Sequence, residues 1–168
     1  MKLLSFSTLA ASLIFLMSVN GVAVDKNAKP QVPHFSFENS YGACSSDDIA
    51  GHGKYLLLQF WDASDASSRV NNRKFATLAE KVGNDSLEYV GVYTGSDKTL
   101  FKSAMAADGC ETSKQYFLAD KEDAANIYAD FSLSSGNHAF LIAPDGRIAA
   151  INPTEEQIKT IENNGTSL

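Results

Sequence analysis

The side chains with the clearest chemical potential are the carboxylates and hydroxyls gathered in residues 62–68. Asp62 and Asp65 are the acids of this segment, and serines occupy positions 64, 67 and 68. Two acids without a third ligand at fixed spacing make a weak metal site, whereas a carboxylate at a helix start caps it by accepting backbone N–H groups. We therefore expect Asp65 to cap a helix and Asp62 to be solvated, and we predict no metal and no other cofactor.

Nucleophilic catalysis would require one of these serines to meet a histidine base that is oriented by an acid. His138, at the edge of a predicted buried strand, is interpreted as a hydrogen-bonded structural residue. The chain has no Gly-x-Ser-x-Gly elbow, and His34 and His52 form no spaced cluster with His138. We predict no catalytic residue.

Thiol chemistry rests on two cysteines, Cys44 and Cys110, which are far apart and lie in no Cys-x-x-Cys motif. In an oxidising compartment they would form one structural disulfide, worth about 3–4 kcal/mol on the chain-entropy model. The alternative is two separate thiols, which would be redox-active or react with peroxide only if exposed with a depressed pKa. The sequence leaves both alternatives open, because it does not show whether the two Cβ atoms meet.

The elements that must position these residues alternate between strand and helix patterns. The first half of the chain predicts a hairpin over 34–45, a helical turn over 46–49, strands over 55–61 and 87–93, and a helix over 66–82 between them. The strand over 55–61 is apolar except for Gln59, which indicates burial on both faces. Strand, helix and strand form a βαβ unit with parallel strands.

The second half predicts three more helices and three more strands. Ser96 or Asp97 caps a helix that Gly109 closes, and a short strand follows over 116–119. Asp120 caps the next helix, with an inner face of three residues: Ala124, Ile127 and Tyr128. Strands over 139–142 and 148–151 flank a turn at 144–146, and the capping box of Thr154 and Gln157 opens the last helix.

Two segments resemble a known family. Residues 55–69 read YLLLQFWDASDASSR, and the exported thioredoxin-like proteins have Phe-Trp-Ala-x-Trp-Cys-x-x-Cys-Arg at this point. Phe60, Trp61 and Arg69 match that run, while Asp65 and Ser68 stand at the two cysteine positions. Residues 137–148 resemble the family's Pro-x-x-Phe-Leu-Ile-Asp-x-x-Gly-x-Ile, with Asn137 in place of the cis-proline.

The resemblance implies an α/β, thioredoxin-like fold: a central mixed sheet with flanking helices and an N-terminal β-hairpin. It also implies that Trp61, Asp65, Ser68 and Asn137 mark a vestigial active site, because dithiol chemistry needs a thiolate and a resolving thiol. We therefore predict a non-catalytic binding or accessory module with a protein or peptide partner. The alternative is an atypical thiol-disulfide oxidoreductase or peroxidase that acts through Cys44 and Cys110.

The N-terminus and the charge indicate where such a protein works. Residues 1–23 have one lysine, an apolar stretch and small residues before position 24, as in a signal peptide, and 24–33 predict a flexible leader to a domain over 34–168. We expect a soluble, exported protein, periplasmic or extracellular, without a membrane span after cleavage. Removing Lys2 leaves 13 basic against 20 acidic residues, which changes the net charge from −6 to −7 and disfavours nucleic acid as a partner.

Overall fold

The architecture is a seven-stranded sheet with helices on both faces. The computed structural model describes residues 31–39, 42–49, 52–83, 85–110, 114–118, 121–136 and 138–164. Its elements in chain order are β1 (Ser36–Asn39), β2 (Gly42–Ser45), α1 (Ser46–Ile49), β3 (Tyr55–Trp61), α2 (Ala66–Val82), β4 (Leu87–Tyr93), α3 (Lys98–Asp108), β5 (Gln115–Phe117), α4 (Lys121–Asp130), a 3-10 helix (Leu133–Ser135), β6 (Ala139–Ile142), β7 (Ile148–Ile151) and α5 (Glu155–Asn164). The predicted order of elements is confirmed.

The strand order across the sheet is β2-β1-β5-β4-β3-β6-β7. Strands β3, β4 and β5 run parallel to one another, and β6 pairs antiparallel with β3. The hairpin β1-β2 joins the sheet through β5, and β7 is the outermost strand at the opposite edge. The sheet is therefore mixed and carries an N-terminal hairpin, as predicted.

Strand β3 is an interior strand of the sheet, between β4 and β6, and is buried on both faces. Leu56, Leu58 and Phe60 pack on one face in a cluster that includes side chains from α4. Leu57 packs on the other face with the side chains that α2 and α5 bury. Because side chains alternate along a strand, Gln59 lies on the same face as Leu57, under α2.

The helix ends follow their local sequence. Asp97 rather than Ser96 caps α3, since its Oδ1 accepts from the N–H groups of residues 99 and 100. Gly109 ends α3 with a φ of 68°, which glycine adopts without steric cost. At the start of α5, Gln157 Oε1 accepts from Thr154 N and Thr154 Oγ1 accepts from Gln157 N, which is the predicted capping box.

The inner face predicted for α4 is wrong at one position. Ile127 is buried and Ala124 packs against the core, but Tyr128 is 39% exposed. Phe131, four residues after Ile127, is buried in its place. Positions i and i+4 share a helix face, whereas position i+1 is rotated by about 100° toward solvent.

The signal-peptide prediction falls on residues outside the described ranges, as does Asp120. Residues 31–33 of the predicted leader are described, and they lie against the turn between β6 and β7. Gln31 forms an antiparallel bridge with Arg147, and Val32 N donates to Gly146 O at 3.1 Å. Among the helices that the structure describes, none is long and apolar enough to cross a bilayer.

Candidate functional site

The candidate site is the turn that joins β3 to α2, at the end of strand β3. Asp65 is the N-cap of α2: its Oδ1 accepts from Ser67 N at 2.9 Å and from Ser67 Oγ at 2.8 Å. The hydrogen bond from the Ser67 hydroxyl, with the N–H groups of Ser68 and Ser67 and the nearby His138, lowers the pKa of Asp65. The predicted capping role of Asp65 is confirmed, and the residue is an anion at neutral pH.

Asp62 and Ser68 close the same turn from within. Ser68 Oγ accepts from Asp62 N at 3.0 Å, and Asp62 Oδ1 accepts from the backbone and hydroxyl of Ser64, both at 2.7 Å. Each carboxylate of the turn therefore binds donors of its own loop. In the described part of the chain, no three His, Cys, Asp or Glu side chains are grouped as metal ligands would be.

The structure brings His138 near this turn but forms no catalytic triad in the described residues. His138 is exposed immediately before β6, and its charge is the smallest of the causes that lower the pKa of Asp65. Its backbone is fixed on both sides, because His138 N donates to Asn152 Oδ1 at 3.0 Å and Phe60 N donates to His138 O at 2.9 Å. The hydroxyl of Ser68 is engaged by Asp62 N, not by the His138 ring. Asn137 lies outside the described residues.

Trp61 lies beneath the turn rather than on its surface. It is 1% exposed, and its ring centroid is 5.2 Å from that of Tyr93 and 5.9 Å from that of Phe101. Its indole Nε1 donates to Gln115 Oε1 at 2.9 Å. The indole therefore supports the turn from below and offers no contact surface to a partner.

That indole hydrogen bond is one end of a buried polar network that the sequence analysis did not find. Gln115 Nε2 donates to Asn72 Oδ1 at 3.0 Å, and the Tyr89 hydroxyl contacts both Asn72 Oδ1 and, at 3.0 Å, Gln59 Oε1. Gln59 Nε2 reaches the Ser68 carbonyl of α2 at 3.4 Å. The network joins β3, β4, β5 and α2 under the candidate site.

The donor and acceptor order in this network is fixed at both ends. An indole N–H only donates and a backbone carbonyl only accepts, so the amides of Gln115 and Gln59 each have one allowed orientation. The Tyr89 hydroxyl has one proton and donates to one of its two amide oxygens at a time. Burial raises the pKa of Tyr89, so the network is uncharged at physiological pH.

A glycine makes room for this arrangement. A Cβ on Gly91 would lie 2.2 Å from Gln115 Oε1, which is closer than real Cβ atoms approach. Gln59 was the one signal available in the sequence, as a polar residue within an apolar strand. Asn72 and Gln115 gave no signal, because polar residues occur at many helix and strand-end positions.

The two cysteines lie outside the turn in sequence. Cys110 follows α3 and is 3% exposed. Its burial, together with the Asp108 carboxylate, raises the pKa of its thiol. Cys44 belongs to β2 at one edge of the sheet, and its side chain lies outside what the structure describes. The described residues include no disulfide, so a Cys44–Cys110 bridge stays a prediction.

A groove of about 380 Å³ runs beside the turn, between α2, the residues before β6, and the start of α5. Phe75 and Ala139 are buried at its base. Lys74 Nζ and Glu155 Oε2 meet at 3.3 Å between α2 and α5. The rim is polar and is formed by Asn71, Lys74, His138, Asn152, Thr154 and Glu155.

No family model matches this sequence, and no curated protein matches it. Several solved structures do match this chain. The thioredoxin domain of a thiol-disulfide oxidoreductase from Bacteroides vulgatus is 22% identical with a TM-score of 0.70, covering 82% of this chain and 97% of that domain. A thiol:disulfide interchange protein from Bacteroides sp. is also 22% identical, with a TM-score of 0.70 over 83% of this chain and 91% of its own.

A third structure has higher sequence identity. A thioredoxin-like protein from Parabacteroides distasonis is 30% identical, with a TM-score of 0.60, and the match covers 66% of this chain and 81% of that one. The predicted α/β fold, with its mixed sheet and flanking helices, is confirmed by these likenesses.

Proposed function

Because this chain belongs to the thioredoxin-like family, we propose that it is a member without dithiol chemistry that acts as a binding or accessory module. The binding surface is the end of the sheet where α2 begins, with the turn over 62–68 and the neighbouring His138. The observation that carries the proposal is the engagement of Asp65 and Ser68 in closing the turn.

The chemistry of these two side chains supports a structural role for each. Thiol-disulfide exchange needs a thiolate that attacks a disulfide sulfur and a second thiol that resolves the mixed disulfide. A carboxylate that caps a helix and a hydroxyl that accepts from Asp62 N supply neither group. The turn keeps the shape that would present a nucleophile and lacks the nucleophile.

The state of Cys110 weighs against the alternative, an oxidoreductase or peroxidase that uses the other two sulfurs. A reactive cysteine needs exposure and a lowered pKa. Cys110 is buried, and its pKa is raised by that burial. Thiolate formation at Cys110 is therefore disfavoured at neutral pH.

The compartment and the partner belong to the same proposal. The signal-peptide pattern of residues 1–23 supports export, to a periplasmic or extracellular location. The acidic balance of the chain supports a protein or peptide partner over a nucleic acid. The polar rim of the groove beside the turn, which includes Glu155, supports recognition by side-chain contacts.

The test is insulin reduction by the purified mature protein with dithiothreitol as the electron donor. We expect no rate above the uncatalysed reaction for the wild type. We expect the variant Asp65→Cys/Ser68→Cys to fold, to form the new disulfide and to reduce insulin weakly, because an N-terminal helix dipole lowers the pKa of the first thiol. Adding Asn137→Pro should raise that rate.

The matched control is Asp65→Ser, which differs from the double cysteine variant only by oxygen in place of sulfur at two positions. Serine is also a good N-cap, so this control keeps the helix start. Insulin reduction by the wild type that disappears on mutation of Cys44 or Cys110 would refute the proposal. So would a folded double cysteine variant that cannot close its disulfide, since the turn would then lack the assigned geometry.

A further inference from the structure

Strand β7 forms one edge of the sheet, and among the described strands it pairs only with β6. Its residues, Ile148–Ile151, are isoleucine and alanine, and Ile151 is 49% exposed. An edge strand presents backbone N–H and C=O groups with which another segment can pair. Natural edge strands limit this hazard with charged residues, prolines, bulges or a covering segment. Strand β7 has one shift in its register with β6 but carries neither a charge nor a proline.

The beginning of this edge is covered by the segment that leads into β1. Gln31 forms an antiparallel bridge with Arg147, directly before β7, and Val32 N donates to Gly146 O at 3.1 Å. The Gln31 side chain adds a bond, because its Nε2 donates to Asp145 O at 3.3 Å. A Cβ on Gly146 would lie 2.6 Å from Gln31 Nε2, so the glycine permits this close approach. Pairing along the outer side of the sheet therefore begins at Arg147.

The antiparallel sense of the bridge fixes the direction in which such pairing continues. In an antiparallel pair, each step back along one strand is matched by a step forward along the other. Extended from the bridge between Gln31 and Arg147, this register brings positions 30 to 27 opposite Ile148 to Ile151. Four residues of the leader are therefore enough to cover β7 to its end.

The sequence of the leader suits an outermost strand better than the sequence of β7 does. Residues 26–30 read KNAKP. Lysine and proline are residues with which natural edge strands prevent further pairing. Pairing of this segment with β7 would move the uncharged strand to the interior of the sheet and would place a charged strand at its edge.

The alternation of an antiparallel ladder decides which leader residues can donate to β7. Successive residues of a strand direct their N–H groups to opposite sides. Because Val32 N faces this edge, the same alternation directs positions 30 and 28 toward β7 and position 27 away from it. Pro30 has no N–H and can offer only its carbonyl oxygen. Ala28 is therefore the residue of the segment whose N–H can bond to β7.

We propose that the outer edge of β7 is a docking edge for residues 27–30 of the same chain, which pair with it antiparallel as an eighth strand. The docked segment closes the apolar edge to a second copy of the protein. This inference goes beyond the proposed function and requires no property of the turn over 62–68.

The test measures amide hydrogen–deuterium exchange over 148–151 in the chain that begins at residue 24 and in a shorter chain that begins at Gln31. Two point variants of the longer chain are compared with them. Ala28→Pro removes the N–H that faces β7, and the matched control Asn27→Pro removes an N–H that faces away. Exchange over 139–142, in the interior strand β6, is the internal reference for an intact fold.

We expect exchange over 148–151 to be at least about fivefold faster in the shorter chain than in the longer one, which is the effect of about one net hydrogen bond. Ala28→Pro should show most of this increase, whereas Asn27→Pro should exchange as the longer wild-type chain does. Exchange over 139–142 should be the same in all four proteins. Sedimentation velocity of the longer wild-type chain should show a monomer.

Three outcomes would overturn the proposal. One is equal exchange over 148–151 in the longer and shorter chains. Another is an equal increase in Ala28→Pro and Asn27→Pro, because the ladder assigned here distinguishes these two positions. The third is a dimer of the longer chain whose protection over 148–151 falls on dilution, which would assign the edge to a second copy.

Discussion

The replacement Gly91→Ala tests the buried network beneath the candidate site. Gly91 lies in β4 next to Gln115, and the new Cβ would lie 2.2 Å from Oε1 of Gln115 and 2.7 Å from its Cδ and Nε2. The Gln115 side chain has to move. Its hydrogen bonds with Trp61 Nε1 and Asn72 Oδ1 are then lost, and both of those partners are buried.

The expected cost has two parts. A buried donor or acceptor that loses its partner costs about 1–3 kcal/mol, and the indole N–H of Trp61 has no replacement within the network. Forcing an extra methyl group into a packed interior adds about 1–3 kcal/mol. We therefore expect Gly91→Ala to reduce the free energy of unfolding by about 2–6 kcal/mol, a large share of what a domain of this size has.

Urea unfolding followed by tryptophan fluorescence measures this cost directly, because Trp61 is the one tryptophan of the chain and is itself part of the network. The emission of the folded variant should change as well, since the indole loses its hydrogen bond. The control is the double variant Gly91→Ala/Gln115→Ala, which adds the same methyl group to a chain that lacks the Gln115 side chain.

In the Gln115→Ala background the added methyl group has space, so we expect it to cost less than about 0.5 kcal/mol, and the double-mutant cycle should show strong coupling. A cost below about 1 kcal/mol for Gly91→Ala alone, or equal costs in both backgrounds, would refute the packing of Gln115 against Gly91. The network would then not be held by the fit of these two residues.

Two further predictions concern the helix cap and the cysteines. Asp65→Ala should lower the melting temperature at pH 7, and the difference from the wild type should vanish in acid. The pKa of Asp65 is lowered in the folded state. The contribution of its carboxylate to stability is therefore present above the unfolded-state pKa and is lost as the pH falls through the folded-state pKa. Asp65→Asn keeps a capping oxygen that does not titrate. In thermal melts from pH 2 to pH 7, the difference in melting temperature between Asp65→Asn and Asp65→Ala should therefore stay constant. If Cys44 and Cys110 are bridged, alkylation in denaturant without reductant should label neither thiol. Reduction should then lower the free energy of unfolding by a few kcal/mol, roughly, and with it the melting temperature. Two labelled thiols in protein taken from an oxidising compartment would contradict the bridge.

The sequence by itself determined the local elements of this protein. The bounds of β3, α2 and β4 were predicted residue for residue, because an apolar run or a helical period ends where turn residues begin. The caps at Asp65 and at Thr154 with Gln157 were predicted for the same reason, since each cap joins residues at most three apart in the chain. The family resemblance came from two short segments whose strand and helix contexts the structure reproduces.

Only the tertiary structure decided what lies under and beside the turn. Trp61 bonds to Gln115 across 54 residues, and Asn72 bonds to Gln115 across 43. Which polar side chains meet in the interior depends on the register of β3, β4 and β5 and on the placement of α2 over them. No local pattern records that register.

The burial of Cys110 and the three bonds of the Asn152 amide were decided in the same way. Cys110 follows α3 and is buried where α3 packs against α2 on the same face of the sheet. The Asn152 amide reaches Gly136, His138 and Ala139 across 13 to 16 residues, because β7 ends beside the loop before β6. Local propensity governs contacts between neighbours in sequence, whereas contacts between distant residues form only when the whole chain has packed.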